Sequence, residues 1–139
     1  MIRSLHHVGI AVEDLDVAID FYLRTFGLEV EPVSAPPGSL LRFALIRLPG
    51  AEIELMASEG AETPVARFIA RRGPGLHHLA FAVDEIGAAM AEAARRGVAA
   101  LDPQPAPGVD HTLTCFFHPK ATQGVLFEYV QPLGRREED

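Results

Sequence analysis

The chain has 139 residues, of which 48% are hydrophobic, and it carries a formal net charge of −7. This length and composition are sufficient to bury one ordinary core. The acidic balance argues against nucleic acid as the main partner. The chain has no apolar run of membrane-spanning length and does not open on a cleavable signal pattern, which argues against a membrane partner. The single cysteine, Cys115, cannot form an internal disulfide, which fits a cytoplasmic location.

Two stretches of the sequence, 5–12 and 76–83, are almost copies of each other. Each begins with a leucine followed by two histidines, and the second follows the first by 76 − 5 = 71 residues. After each copy, over 15–26 and 86–93, apolar residues recur at the spacing of one helix face. Asp14 and Asp84 precede these two segments and are predicted N-caps. Such a repeat predicts two equivalent modules.

Each half also contains further predicted strands. These are 28–33, 40–48 and 52–57 in the first half, and 98–101, 112–118 and 124–130 in the second, where a proline-rich loop covers 103–108. The order in both copies is β-α-β-β-β. A short helix over 63–72, with Thr63 as N-cap and Pro64 in the first helical position, links the copies. The sequence therefore predicts an α+β fold, a single domain (1–139) of two tandem βαβββ modules over 1–60 and 75–132, with a frayed tail over 135–139.

The two histidines of each pair face opposite sides of their strand, because side chains alternate along a strand. His6 and His77 share a face with branched and aromatic residues, which suits packing beneath the following helix. His7 and His78 share a face with glycine and alanine, which leaves room for another group. We assign His7 and His78 to a site shared by the two halves, and His6 and His77 to structural or edge positions. The matched small neighbours favour this interpretation over four histidines that cap strand ends.

An acidic residue interrupts the apolar closing strand of each module, Glu54 in the first and Glu128 in the second. A buried carboxylate without a partner is costly, so such a residue lies at an edge, is paired or binds a metal. Glu52 is a competing candidate on the same face as Glu54, but its position beside the turn at 49–50 favours a solvated side chain. Two neutral imidazoles and two carboxylates form a charge-neutral ligand set for one divalent ion, such as Co, Ni, Mn, Fe or Zn.

Several segments of the chain follow the motif order of a known family: 5–12, 53–55, 63–73, 75–81, the triplet His118-Pro119-Lys120 and 124–128. Over residues 5–131, the chain resembles the methylmalonyl-CoA epimerases of the vicinal oxygen chelate superfamily. It implies a cup-shaped, mixed or antiparallel sheet formed by the two modules, a homodimer, and one divalent ion per chain. It assigns the four metal ligands to His7, Glu54, His78 and Glu128.

The reaction implied by the resemblance is the epimerisation of an acyl-CoA substrate, methylmalonyl-CoA, by an isomerase. The α-proton leaves and returns through an enolate that the metal ion stabilises as a Lewis acid. Some family members carry an additional acid, proposed as a base, in the strand that here covers 40–44, and no acid is present there. Glu54 and Glu128 are therefore the candidate catalytic residues.

The basic residues offer candidates for substrate binding. Lys120 is the only lysine among the 12 basic residues, and it is predicted to bind a substrate carboxylate or phosphate. Its other interpretation is a solvated turn lysine. Arg42 and Arg47 also have two interpretations, as contacts for coenzyme A phosphates or as surface charge.

Two other functions stay open at this point. A lactoylglutathione-lyase-type isomerase uses the same kind of four-ligand metal site, and its substrate is a glutathione hemithioacetal. A metal-free small-molecule-binding protein of this fold does not need four converging ligands, and fold alone does not decide function. A ring-cleaving dioxygenase uses two histidines and one carboxylate on iron, and Glu54 as a fourth ligand argues against it.

Overall fold

The computed structural model of the protein describes residues 1–134, so the predicted tail over 135–139 lies outside the described residues. The elements are β1 (Ile2–Ala11), α1 (Leu15–Phe26), β2 (Leu41–Leu48), β3 (Ala51–Ser58), α2 (Pro64–Arg72), β4 (Gly75–Val83), α3 (Ile86–Arg95), β5 (Ala106–Gly108), β6 (Thr112–Phe117) and β7 (Phe127–Pro132). Within residues 1–134, none of the helices has the length and apolar character needed to span a membrane.

The described residues divide into two compact units, one of residues 7–77 and one of residues 1–6 together with residues 78–134. In the 7–77 unit, β3 pairs in parallel with β1 and antiparallel with β2. In the other unit, β7 pairs in parallel with β4 and antiparallel with β6, which also pairs antiparallel with β5. Mixed strand pairing with separate helices confirms the predicted α+β class. The single-domain arrangement of two modules stays a prediction.

The first predicted strand after α1 does not form, and that prediction is wrong. Residues 28–33 contain no strand, and Ser34 makes only an isolated bridge with Phe43. Pro32 lies in this segment and has no N–H to donate to a strand ladder. The first copy is therefore β-α-β-β rather than β-α-β-β-β.

The corresponding strand of the second copy forms later in the chain than predicted. Residues 98–101 are not a strand, although the Leu101 N–H donates one hydrogen bond to the Phe116 carbonyl at 2.9 Å. The strand is β5, inside the segment predicted as a proline-rich loop. Pro107 is tolerated there because β5 pairs only with β6 and therefore needs fewer N–H donors.

Helices α1 and α2 pack against opposite faces of β3. Leu55 of β3 belongs to a core cluster with Leu15 of α1, whereas Met56 packs with Ala11 of β1 and Val65 of α2. Because neighbouring strand residues point to opposite sides, α2 covers the face that also carries Glu54. In the other unit, α3 packs on β6, and Cys115 of β6 is buried in this cluster. Desolvation by burial raises the pKa of the Cys115 thiol to about 11.

One of the two predicted N-caps is confirmed and the other is wrong. Asp14 caps α1 by accepting a hydrogen bond in the first turn at 3.0 Å. Helix α3 is capped by Glu85, whose carboxylate accepts from two backbone N–H groups. Asp84 instead forms an ion pair with Arg3 at 2.6 Å. The hydrogen bond from Arg3 lowers the pKa of Asp84.

Replacing Thr63 by alanine is expected to lower the free energy of unfolding by about 1 kcal/mol, the usual cost of a lost N-cap. The Thr63 hydroxyl accepts from the Ala66 N–H at 3.1 Å and donates to the Ser58 hydroxyl at 2.6 Å. Chemical denaturation measures the change. Thr63→Ser should keep most of the stability, and Thr25→Ala, on the exposed surface of α1, is the matched control. Equal stability of Thr63→Ala and Thr25→Ala would contradict the prediction.

Candidate functional site

In the 7–77 unit, the parallel pairing of β1 with β3 brings His7 to Glu54. Gly9 is the register partner of Glu54, and His7 lies two residues earlier on the same face. The His7 Nε2 and Glu54 Oε2 atoms are 3.9 Å apart. Both residues are buried, with 6% and 7% of their surface exposed. The structure thus buries an imidazole and a carboxylate side by side.

The other unit contains a second pair built in the same way. Ala80 of β4 is the register partner of Glu128 of β7, and His78 lies two residues before Ala80. The His78 Nε2 and Glu128 Oε1 atoms are 3.9 Å apart, and both residues are buried. Gly9 and Ala80 lie 80 − 9 = 71 residues apart, which is the offset of the sequence repeat, whereas the two glutamates lie 128 − 54 = 74 residues apart. Each unit therefore supplies one histidine and one glutamate from equivalent places.

The neighbouring histidines lie in different surroundings. His6 and His77 are half-buried, in contrast to the buried His7 and His78. The His77 ring and the Phe68 ring of α2 form a T-shaped contact at a centroid distance of 4.9 Å. Burial lowers the pKa of His77, which favours its neutral form. His77 therefore has a packing contact with α2, in agreement with the structural position expected from the sequence.

The chemistry of the buried pairs fits a divalent metal ion. Two ligands that share an ion through bonds of about 2.1 Å lie at most about 4.2 Å apart, and both His–Glu separations of 3.9 Å satisfy this limit. Imidazole nitrogen and carboxylate oxygen suit ions such as Zn, Mn, Co, Ni and Fe. His7 with Glu54 in one unit, and His78 with Glu128 in the other, are buried side chains of the types that hold such an ion.

Apolar groups flank Glu54 on its own sheet. Its register partners are Leu45 on β2 and Gly9 on β1, and Phe43 lies on the same side of β2 as Leu45. These neighbours provide neither a charge nor a hydroxyl to the carboxylate. The sequence showed that 40–44 lacks an acid, but the position of Leu45 beside Glu54 depends on the strand register, which the sequence does not state.

Glu52 is not the solvated residue expected from the sequence. It is half-buried and forms an ion pair with Arg47, which also pairs with Glu31. Arg42 pairs with Glu59 at 2.9 Å. Both arginines that were candidates for coenzyme A phosphates are thus engaged by carboxylates of their own unit.

Lys120 is exposed in the turn that follows β6. Its backbone N–H donates to His118 Nδ1 at 3.1 Å, and the Thr122 hydroxyl donates to the His118 carbonyl at 3.3 Å. These bonds order the backbone of the turn, and the ammonium group is left exposed. The predicted role of Lys120 in substrate binding stays a prediction.

Comparison with known protein families gives the class of the protein. Residues 6–116 match the model of the Glyoxalase/Bleomycin resistance protein/Dioxygenase superfamily. The match covers more than half of the chain and includes His7, Glu54 and His78, which are three of the four buried histidines and glutamates. The chain belongs to this superfamily and, as its relatives show, to the methylmalonyl-CoA epimerases within it.

The individual relatives cover nearly the whole chain. The ethylmalonyl-CoA/methylmalonyl-CoA epimerase of Cereibacter sphaeroides is 35% identical over 133 residues, which are 94% of this chain and 99% of the relative. The crystal structure of methylmalonyl-CoA epimerase from Mycobacterium tuberculosis is 36% identical, with a TM-score of 0.89, and the match covers 96% and 90% of the two chains. A methylmalonyl-CoA epimerase in complex with methylmalonyl-CoA and NH4+ is 29% identical, with a TM-score of 0.90 and coverage of 96% and 97%.

Proposed function

We propose that this protein is an isomerase that epimerises methylmalonyl-CoA in a metal-dependent reaction. The observation that carries the proposal is the pair of equivalent, buried His–Glu sets, one in each unit at the same strand register. The relatives named as methylmalonyl-CoA epimerases support the substrate. The complex with methylmalonyl-CoA in one of them supports an acyl-CoA ligand.

His7, Glu54, His78 and Glu128 are the proposed ligands of one divalent ion per chain. Two neutral imidazoles and two carboxylates balance the charge of such an ion, and their burial excludes competing water. When bound, the ion supplies a positive charge that stabilises the negative charge developing on the thioester oxygen. Co, Ni, Mn, Zn and Fe all accept this donor set.

Glu54 and Glu128 are the proposed acid–base residues. Epimerisation needs an ionised group that takes the α-proton from one face and a protonated group that returns a proton to the opposite face, so the two glutamates would act in opposite protonation states, one as the carboxylate and one as the carboxylic acid. The two glutamates belong to equivalent strands of the two modules, and β2 carries no acid that could take either role. Lys120 is proposed to bind the substrate through its exposed ammonium group. We also propose that the protein is a homodimer and that it is located in the cytoplasm.

Incubation of the purified protein with methylmalonyl-CoA in deuterated water tests this function. We expect deuterium to enter the α-position with inversion, and we expect removal of divalent ions by a chelator to abolish the exchange. Mass spectrometry measures the deuterium incorporated at the α-position, and chiral analysis measures the inversion. Absence of exchange, together with turnover of a methylglyoxal–glutathione adduct, would identify a lactoylglutathione-lyase-type isomerase instead. Tight binding of a small molecule without turnover or metal would identify a binding protein.

A further inference from the structure

Most basic side chains of this acidic protein are neutralised within the fold. Among residues 1–134, seven arginines form ion pairs: Arg3, Arg24, Arg42, Arg47, Arg67, Arg95 and Arg96. In that same part of the chain, the basic residues outside any ion pair are Arg71, Arg72 and Lys120. Within these described residues, two adjacent arginines at the end of α2 therefore have no carboxylate partner, although the chain has a formal net charge of −7.

These arginines lie on the helix that covers the Glu54 face of β3. Val65 of α2 packs on Met56, which is two residues beyond Glu54 on the same side of the strand. The ring of Phe68, one helical turn after Val65, contacts His77. The exposed side of α2 therefore borders the sheet face on which His7 and Glu54 lie.

The charge on α2 is concentrated on its exposed side. Arg67 and Arg71 are exposed and lie four residues apart, so they are neighbours on the helix surface. The Arg67 guanidinium nitrogen and the Glu62 carboxylate oxygen are 3.7 Å apart, and both side chains are exposed. Such an ion pair contributes little stability. The Arg72 guanidinium lies over the Phe68 ring at 5.8 Å. We call Arg67, Arg71 and Arg72 the α2 arginines.

We propose that the α2 arginines bind the phosphate groups of the coenzyme A portion of the substrate. Guanidinium groups form paired, charge-assisted hydrogen bonds with phosphate oxygens. The pantetheine arm of an acyl-CoA places these phosphates away from the thioester, so their subsite must lie at the border of the reaction site. This inference rests on the proposed function, since it concerns the same substrate.

A purely structural role for these residues is also physically reasonable. Arginine in the last turn stabilises a helix through its dipole, and α2 ends in Arg71 and Arg72. Arg24 has this position in α1, on the opposite face of β3, and it is paired with Asp20 at 2.6 Å. Arg24→Gln is therefore the matched control, because it removes a last-turn arginine without changing the α2 surface.

The test compares two substrates for the Arg67→Gln/Arg71→Gln double variant. Methylmalonyl-CoA carries the phosphates, and the methylmalonyl thioester of pantetheine lacks them. We expect the KM for methylmalonyl-CoA to rise about tenfold with little change in kcat, which corresponds to about 1.4 kcal/mol of lost binding. The KM for the pantetheine thioester should change less than about twofold, because this substrate lacks the phosphates that the arginines are proposed to bind. Arg71→Lys should keep part of the affinity, and Arg24→Gln should behave as wild type.

Equal changes in KM for both thioesters, or no change for either, would overturn the proposal. If the wild-type protein turns over neither thioester, the proposed function fails, and calorimetric binding of coenzyme A itself then tests the arginines separately. Weaker binding of coenzyme A to the double variant than to the Arg24→Gln variant would support the phosphate subsite. Equal binding to both variants would overturn it.

Discussion

Replacing His78 by alanine is expected to remove the divalent ion and to abolish epimerisation. His78 is buried and its Nε2 atom lies 3.9 Å from the Glu128 carboxylate, so alanine leaves a gap where a ligand is proposed. Loss of an outer-shell partner of a metal ligand already costs about 10–100-fold in affinity or activity. We therefore expect a loss of activity of more than about 100-fold. Elemental analysis of the purified variant should show near-zero ion content.

The adjacent histidine provides a control for this experiment. His77→Ala removes a half-buried imidazole one residue away, which contacts Phe68 and is not a proposed ligand. It should lower thermal stability and leave the ion content unchanged. Circular dichroism of both variants confirms that they fold. A folded His78→Ala protein with a full complement of ion and normal turnover would contradict the proposed ligand set.

Replacing either Glu54 or Glu128 by glutamine is expected to lower the epimerisation rate by about 10²–10⁴-fold, the usual contribution of a general acid–base group. Glutamine keeps an oxygen that can bind an ion, but it cannot take up a proton at neutral pH. Both side chains are buried, so water does not readily replace them. The ion content of each variant should therefore fall much less than that of His78→Ala.

Solvent exchange then distinguishes the two glutamates. If each one serves a single face of the α-carbon, each variant should still exchange the α-proton of one epimer and not of the other. The two variants should have opposite preferences when tested with the separate epimers in deuterated water. Glu52→Gln is the matched control, because Glu52 lies on the same side of β3 and is paired with Arg47. Retention of wild-type epimerisation by both Glu54→Gln and Glu128→Gln would contradict the acid–base assignment.

Features with a local physical cause were predicted well from the sequence. The different burial of His7 and His6 follows from strand alternation, which has a period of two residues and does not depend on the strand's partner. The cap of α2 by Thr63 and its start at Pro64 depend on the chemistry of consecutive residues. Each of these two features could therefore be predicted from a single stretch of neighbouring residues.

Features that depend on distant partners were predicted poorly. Asp84 was expected to cap α3, but Arg3 lies 81 positions away in sequence and forms an ion pair with it. Glu52 was expected to be solvated, but the pairing of β2 with β3 places Arg47 opposite it. Residues 28–33 have extended character, but Pro32 lacks the donor that a strand ladder requires.

The sequence by itself determined the internal repeat, the α+β class and the deeper burial of His7 and His78 than of their neighbours, because these depend on local periodicity and on an internal copy. Only the tertiary structure decided that Gly9 and Ala80 are the register partners of Glu54 and Glu128. It also showed which arginines form ion pairs, and that Arg71 and Arg72 at the end of α2 are not among them. Strand register and ion pairing are contacts between residues far apart in the chain, and residue order alone does not fix their distances.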